Sequence, residues 1–172
     1  RIATPEVVGV PLREIGTQLS AARLVTRDEI PVARADANGN YLYAMSAPEF
    51  DQVNTHATVA RCLLTYEHYT GHAMGWSFNG PLVIHPHAGE GKTAYYSRWD
   101  ESINFFQWDS PSLGKTVKTS QCLDVASHEI GHALLDGIRP GLMGSGEGNA
   151  FHEGFGDSSA MLHALQYDSN LE

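Results

Sequence analysis

The stretch from Asp124 to Asp157, DVASHEIGHALLDGIRPGLMGSGEGNAFHEGFGD, constrains this chain more than any other. It carries H-E-x-x-H at His128, Glu129 and His132, then E-x-x-x-D at Glu153 and Asp157. Around the first motif Leu123, Ala126, Ile130, Ala133 and Leu134 recur at helical spacing and form one apolar face. This pattern predicts a helix over 120–137. Thr119 or Ser120 can cap it, Asp124 favours its first turn, and Gly137 ends it ahead of Pro140. On that helix Asp124, His128, His132 and Asp136 stand in one column, so two imidazoles lie one turn apart and can converge on a single metal ion. Glu129 points to the side, where it can reach a water on the metal without binding the metal itself.

A second helix is expected over 150–166, with Asn149 as its cap and Phe151, Phe155, Leu162 and Leu165 as its core face. On another face Glu153 can supply a third ligand, and Asp157 can accept the N–H of a ligand histidine. Gly131, Gly154 and Gly156 each cost a helix roughly 1 kcal/mol against Ala. At Gly131 the expected compensation is close approach by another segment or by substrate, while small residues at 154 and 156 let the two helices approach. Two imidazoles and a carboxylate suit Zn2+ best among the common metals.

Upstream, residues 1–21 carry Pro5, Gly9, Pro11 and Gly16 and read as an irregular lead-in or short strands. Strand-like runs follow at 24–26, 30–34 and 41–45, the last two joined by a hairpin signal at Asn38-Gly39. Residues 51–70 look helical, with Val53, Ala57, Ala60, Leu64 and His68 on one face and Gly71 at the end. His56 and His68 in it read as packed or solvated rather than metal-bound. Leu82–Ile84 is a short buried strand, and His85–Gly91 a loop whose two histidines are not expected to bind metal. Thr93–Ser97 and Ser102–Phe106 form a hairpin across Arg98–Glu101, and its edge could bind an extended peptide by backbone pairing.

The chain of 172 residues fits one domain or one lobe of a larger protein, and its net charge of −9 argues against nucleic acid or an anionic membrane surface as main partner. No apolar run is long enough to span a membrane. With only Cys62 and Cys122 present this is no disulfide scaffold. Cys62, among Ala60, Leu63 and Leu64, reads as a buried free thiol, with pairing to Cys122 as the alternative. Trp76, Trp99 and Trp108 read as core residues, or alternatively as a surface for self-association or docking.

The segments DVASHEIGHALLDG, GLMGSGEGNAFHEGFGD and TAYYSRWDESINFF resemble the gluzincin metallopeptidases, and within them the thermolysin-like enzymes. The likeness covers about residues 50–167. It implies an α+β lobe: a twisted, mostly antiparallel sheet with a backing helix, an active-site helix and a glutamate helix. It also implies Zn2+ held by His128, His132 and Glu153, Glu129 as general base, and Asp157 orienting a ligand histidine. Thr93, Ala94, Tyr95 and Tyr96 would form the strand along which substrate lies, with Thr93 standing where the family has Asn. Asp124 keeps one position of an acidic cluster that binds Ca2+ in the family, so calcium is a lesser expectation. The family's oxyanion tyrosine would fall near Met143-Gly144, where there is none. Its catalytic histidine lies in a second, helical lobe. The resemblance therefore implies a secreted zinc endopeptidase acting on peptide or protein, of which this chain is the N-terminal lobe. The alternative is a zinc-bearing structural or binding lobe without turnover.

Overall fold

A computed structural model describes residues 7–167. Its elements are α1 (Leu12–Ile15), β1 (Leu24–Thr26), α2 (Pro48–Thr70), β2 (Leu82–Glu90), β3 (Ala94–Ser97), β4 (Ser102–Ser110), β5 (Lys115–Lys118), a 3-10 turn (Thr119–Gln121), α3 (Leu123–Ile138) and α4 (Gly146–Ala164). The class is α+β, but the sheet is mixed and open rather than mostly antiparallel. β1 pairs with β2 and β2 with β4 in parallel, while β3 and β5 both pair with β4 antiparallel. The reason is connectivity. The 23 residues of α2 carry the chain back to the end where β1 began, which forces a parallel partner, whereas short turns join β3, β4 and β5. No helix among the described residues is long and apolar enough to cross a membrane.

Several local expectations change. The lead-in holds a single helical turn, α1, in its described part; residues 1–6 lie outside the described residues. Residues 30–34 and 41–45 form no ladder. Pro31 lacks a donor, the Gln52 side chain takes the N–H of Ala33, and the Tyr43 hydroxyl both accepts from Arg34 N and donates to Arg34 O. Asn38-Gly39 does turn, with Asp36 Oδ1 accepting from the backbone of Asn38 and Asn40. The expected loop at His85–Gly91 is mostly strand. Its pairing to β4 is interrupted between His85 and Gly89, so Pro86 sits in a bulge where no ladder donor is needed. His87 bridges two carboxylates, Asp28 and Asp51, each at 2.7 Å, which occupies both of its ring nitrogens.

Helix α2 starts at Pro48 and ends at Gly71, which is left-handed at φ 69°. Its buried side is rotated from the expected one: Asp51, Gln52, Thr55, His56, Val59, Cys62 and Leu63 are buried, and of the expected face Ala60 is buried while Val53, Ala57 and Leu64 are half-buried. Polar residues go inside because each finds a partner. His56, for example, is held by Thr26 Oγ1 at 2.9 Å and Glu14 O at 2.7 Å, whereas His68 is exposed. Cys62 is a buried free thiol, pushed up to about 12 by burial, and Cys122 is an exposed one. Trp76 packs against the core, Trp108 is half-buried, and Trp99 is 93 % exposed, contrary to the core reading.

The core lies between the sheet and α2 with α3: Leu24, Leu82, Ile84, Ile103 and Phe105 meet Val59, Leu63, Ala126, Ile130 and Leu134. Burying that apolar surface, at about 25 cal/mol per Å2, is what fixes α3 on the sheet. Helix α4 packs on α3 with a small contact to α2. His163 of α4 pins the pair, its Nδ1 lying 2.7 Å from Ser127 Oγ. Burial, with Arg61 nearby, pushes the His163 imidazole down to about 4. An unfolded histidine titrates near 6.5, so on acidification the unfolded chain takes up a proton that the folded chain refuses until about pH 4. This residue's contribution is whole above pH 6.5, and up to about 3 kcal/mol of stability is lost through that window. In His163→Gln, chemical denaturation should show a flatter fall in stability between pH 7 and 4 than in the parent; an identical slope rejects this assignment.

Candidate metal centre

Helix α3 begins at Leu123, after the 3-10 turn, with Cys122 at its cap and no side-chain cap bond, so neither Thr119 nor Ser120 caps it. Nor does Gly137 end it. The helix runs on to Ile138, and Gly137 is instead where the backbone of Gly75 presses close. Helix α4 starts four residues before the expected point, because Ser145 rather than Asn149 is the cap, its hydroxyl accepting from Gly148 N at 3.0 Å. Asn149 accepts from Gly144 N instead. The buried side of α4 is Gly148, His152, Gly156, Ser159 and His163. Phe151, Leu162 and Leu165 are exposed, so three of the four expected core residues face outward; Phe155 stacks on Tyr66.

This rotation puts Glu153 opposite α3. His128 Nε2 lies 3.3 Å from Glu153 Oε2 and His132 Nε2 lies 3.7 Å from Glu153 Oε1. One ligand atom from each of the three residues falls within 4.8 Å of the others, and among the described residues no other group of three such side chains converges. Asp124, the residue behind the calcium expectation, is outside this group. The chemistry of the donors tests the fit. His128 Nδ1 stands 3.0 Å from Asp157 Oδ1, and an imidazole that donates there presents a bare Nε2 to the Glu153 carboxylate. Two acceptors facing each other are satisfied by a cation between them, either a metal ion or a second proton on the imidazole of the kind that lets His87 bridge Asp28 and Asp51. Ligands of a tetrahedral zinc at 2.0–2.1 Å sit roughly 3.4 Å apart, which matches the His128–Glu153 spacing.

Close packing of the helices makes this convergence. A Cβ on Gly131 would lie 3.0 Å from Gly156 Cα and 2.6 Å from Ser159 Oγ, and one on Gly156 would lie 2.8 Å from the His128 ring. Gly154 has open space around it, so only two of the three glycines serve the approach.

Glu129 is 7 % exposed and outside the ligand set. Burial pushes its carboxyl up to about 7; Glu153 adds to this, while His128 and the backbone N–H of Tyr96 oppose it. Burial also pushes His132 down to about 4, with His128 adding to it, so its imidazole is neutral at pH 7. The Tyr96 bond ties Glu129 to β3, an edge strand. Since Tyr96 N–H points away from β4, strand alternation turns the N–H and C=O of Ala94 to the same free edge. A cleft of about 370 Å3 joins Lys92, Thr93 and Ala94 to His128, Glu129 and Asp157. Of the four expected substrate-strand residues, then, Thr93 and Ala94 line this cleft, though Thr93 precedes the strand. Tyr95 packs on Phe106 with its side chain half out, and Tyr96 is buried with its hydroxyl on Asp136, so neither side chain lines the cleft.

Three residues around the site escape a reading by hydrophobic spacing. Asp136 is fully buried and gathers Ser77, Tyr96 and Arg98; His152 is buried against His132; His163 bonds Ser127. The signal available was the Gly148, His152, Gly156, Ser159, His163 stripe, which follows a helical face in small and polar residues. No family model matches the chain, and no curated protein matches it.

Proposed function

We propose that the chain is a zinc-dependent endopeptidase lobe that hydrolyses peptide bonds with Glu129 as general base. One observation carries this reading: a buried carboxyl, Glu129, shares a cleft with His128 and with the free edge of β3, beside the His128, His132 and Glu153 ligand set. A site that only holds a metal has no need of a base kept near pH 7 and left out of the ligand set.

His128, His132 and Glu153 would hold the ion, and Asp157 fixes the His128 tautomer from behind. A zinc ion held there would supply an acidified water and positive charge to offset the developing oxyanion. An extended peptide lies along β3, the outward N–H and C=O of Ala94 pairing with its backbone. Glu129 accepts a proton from the attacking water as the water oxygen bonds to the carbonyl carbon. It then delivers that proton to the amine nitrogen as the C–N bond breaks. The products are one carboxylate end and one amine end. The gluzincin resemblance adds the expectation of secretion and of a second lobe completing the substrate pocket.

The second reading, a zinc-bearing lobe without turnover, is favoured by the cleft lining, which among the described residues offers no tyrosine to donate a hydrogen bond to an oxyanion. Metal analysis with a casein-digestion assay separates the two. The expected result is one zinc per chain, with hydrolysis that stops on chelation and returns with zinc. One tightly held zinc with no hydrolysis by the full-length protein selects the second reading, and no zinc rejects both.

A further inference from the structure

His152 and His132 share an unresolved polar account. His152 is 1 % exposed, and neither of its ring nitrogens has a hydrogen-bond partner among the described residues. His132 Nδ1 is buried and equally without a partner. The two ring centroids lie 5.6 Å apart, with the planes tilted by 36°. Buried polar atoms in folded proteins are almost always satisfied, by ordered water where no side chain reaches. A histidine that binds metal through one nitrogen donates the other N–H to a partner that fixes its tautomer. For His128 that partner is Asp157, at 3.0 Å. For His132 the neighbouring carboxylate on the same helix column, Asp136, is already engaged by Ser77, Tyr96 and Arg98.

We propose that His152 is a positioning residue of the metal centre: one ordered water between the rings accepts the Nδ1–H of His132 and donates to a bare nitrogen of His152, which keeps the His132 Nε2 lone pair aimed at Glu153 and the ion. The inference rests on the metal reading of the His128, His132 and Glu153 cluster. No direct bond joins the two rings, and each carries a buried ring nitrogen without a partner, the condition under which a bridging water is expected. His152 touches neither substrate nor metal in this role. It acts through His132, and it is rigidly placed for that by the helix that also carries Glu153.

Zinc affinity, measured by competition with a chromophoric chelator, tests this on the full chain. His152→Leu removes the acceptor and should weaken zinc binding 10- to 100-fold. His152→Asn keeps an acceptor for the water and should stay within about threefold of the parent, a rescue that a packing role would not produce. Equal affinity in parent and His152→Leu overturns the proposal, as does an equal loss in both variants. Thermal unfolding of the zinc-free forms reports whether each variant folds. If His152→Leu does not, the parent decides the matter: in the metal-free chain labelled with 15N-histidine, His132 should be the Nδ1–H tautomer and that proton should show a cross-peak to bound water. An Nε2–H tautomer, or no such cross-peak, overturns the proposal. A parent that takes up no zinc overturns the metal reading itself and the inference with it, a result distinct from a zinc-binding parent whose His152→Leu form binds equally well.

Discussion

Glu129→Gln should cut kcat for a peptide substrate by roughly 10²- to 10⁴-fold, the range a positioned general base supplies. Zinc affinity should stay close to the parent's, because Glu129 lies outside the ligand set of His128, His132 and Glu153. The amide is nearly isosteric, and its oxygen can still accept the N–H of Tyr96, so the edge strand keeps its tie to α3. Folding should be unharmed, since a neutral amide is cheaper to bury than a carboxylate. The metal-free carboxyl titrates at about 7, and a bound cation pulls that value down. The base is competent only when ionised, so kcat/KM in the parent should fall as pH drops through an acid limb lying below 7. The variant, lacking the titrating group, should lose that limb from whatever activity remains. A stopped assay on casein across pH, with zinc content measured on the same samples, checks both parts. Full activity in Glu129→Gln with zinc in place would remove the proposed mechanism. Lost zinc would mean instead that the side chain holds the metal.

The site was legible in the chain where chemistry demands particular residues at fixed spacing. H-E-x-x-H on a helix cannot place its histidines anywhere but one turn apart, and the later Glu153 and Asp157 keep the same period. Gly131 as a point of close approach was legible for the same reason, a helix residue with a cost and no local use. What stayed hidden was the inner face of α4. Hydrophobic spacing marks Phe151, Leu162 and Leu165 as core, yet they are exposed, and the buried side is made of glycine, serine and histidine. That face meets α3 at backbone distance, where large apolar residues do not fit and polar ones find partners such as Ser127 and Tyr66. The mixed sheet was hidden because strand direction follows from connections rather than from residue preferences. The β2 extension was hidden by His85-Pro86-His87, which reads as loop until a bulge absorbs the proline.

Gly131→Val should damage both stability and the metal centre, and the geometry says why the two go together. The added Cβ alone would stand 3.0 Å from the backbone of Gly156, which has no rotamer by which to yield. Ser159 Oγ, 2.6 Å away, would also have to leave its bonds to Phe155 O and Tyr66. The helices must part, and overpacking of this kind costs about 1–3 kcal/mol. For a domain of this size each kcal/mol lowers Tm by roughly 2–4 °C, so a fall of about 2–12 °C is expected. Parting α3 from α4 also carries Glu153 away from His128 and His132, because the three candidate ligands come from the two sides of this one interface. Zinc affinity should drop roughly tenfold or more, on the scale of disturbed ligand support. Gly154→Ala is the control on the same helix. Its Cβ meets nothing within 4 Å, so helix propensity should dominate, with a gain of up to about 1 kcal/mol and unchanged zinc binding. Calorimetry of the zinc-free chains and chelator competition on each would read both effects. If Gly131→Val bound zinc as the parent does, the close contact would be a matter of packing alone, and the spacing of Glu153 from the histidines would have to be set elsewhere.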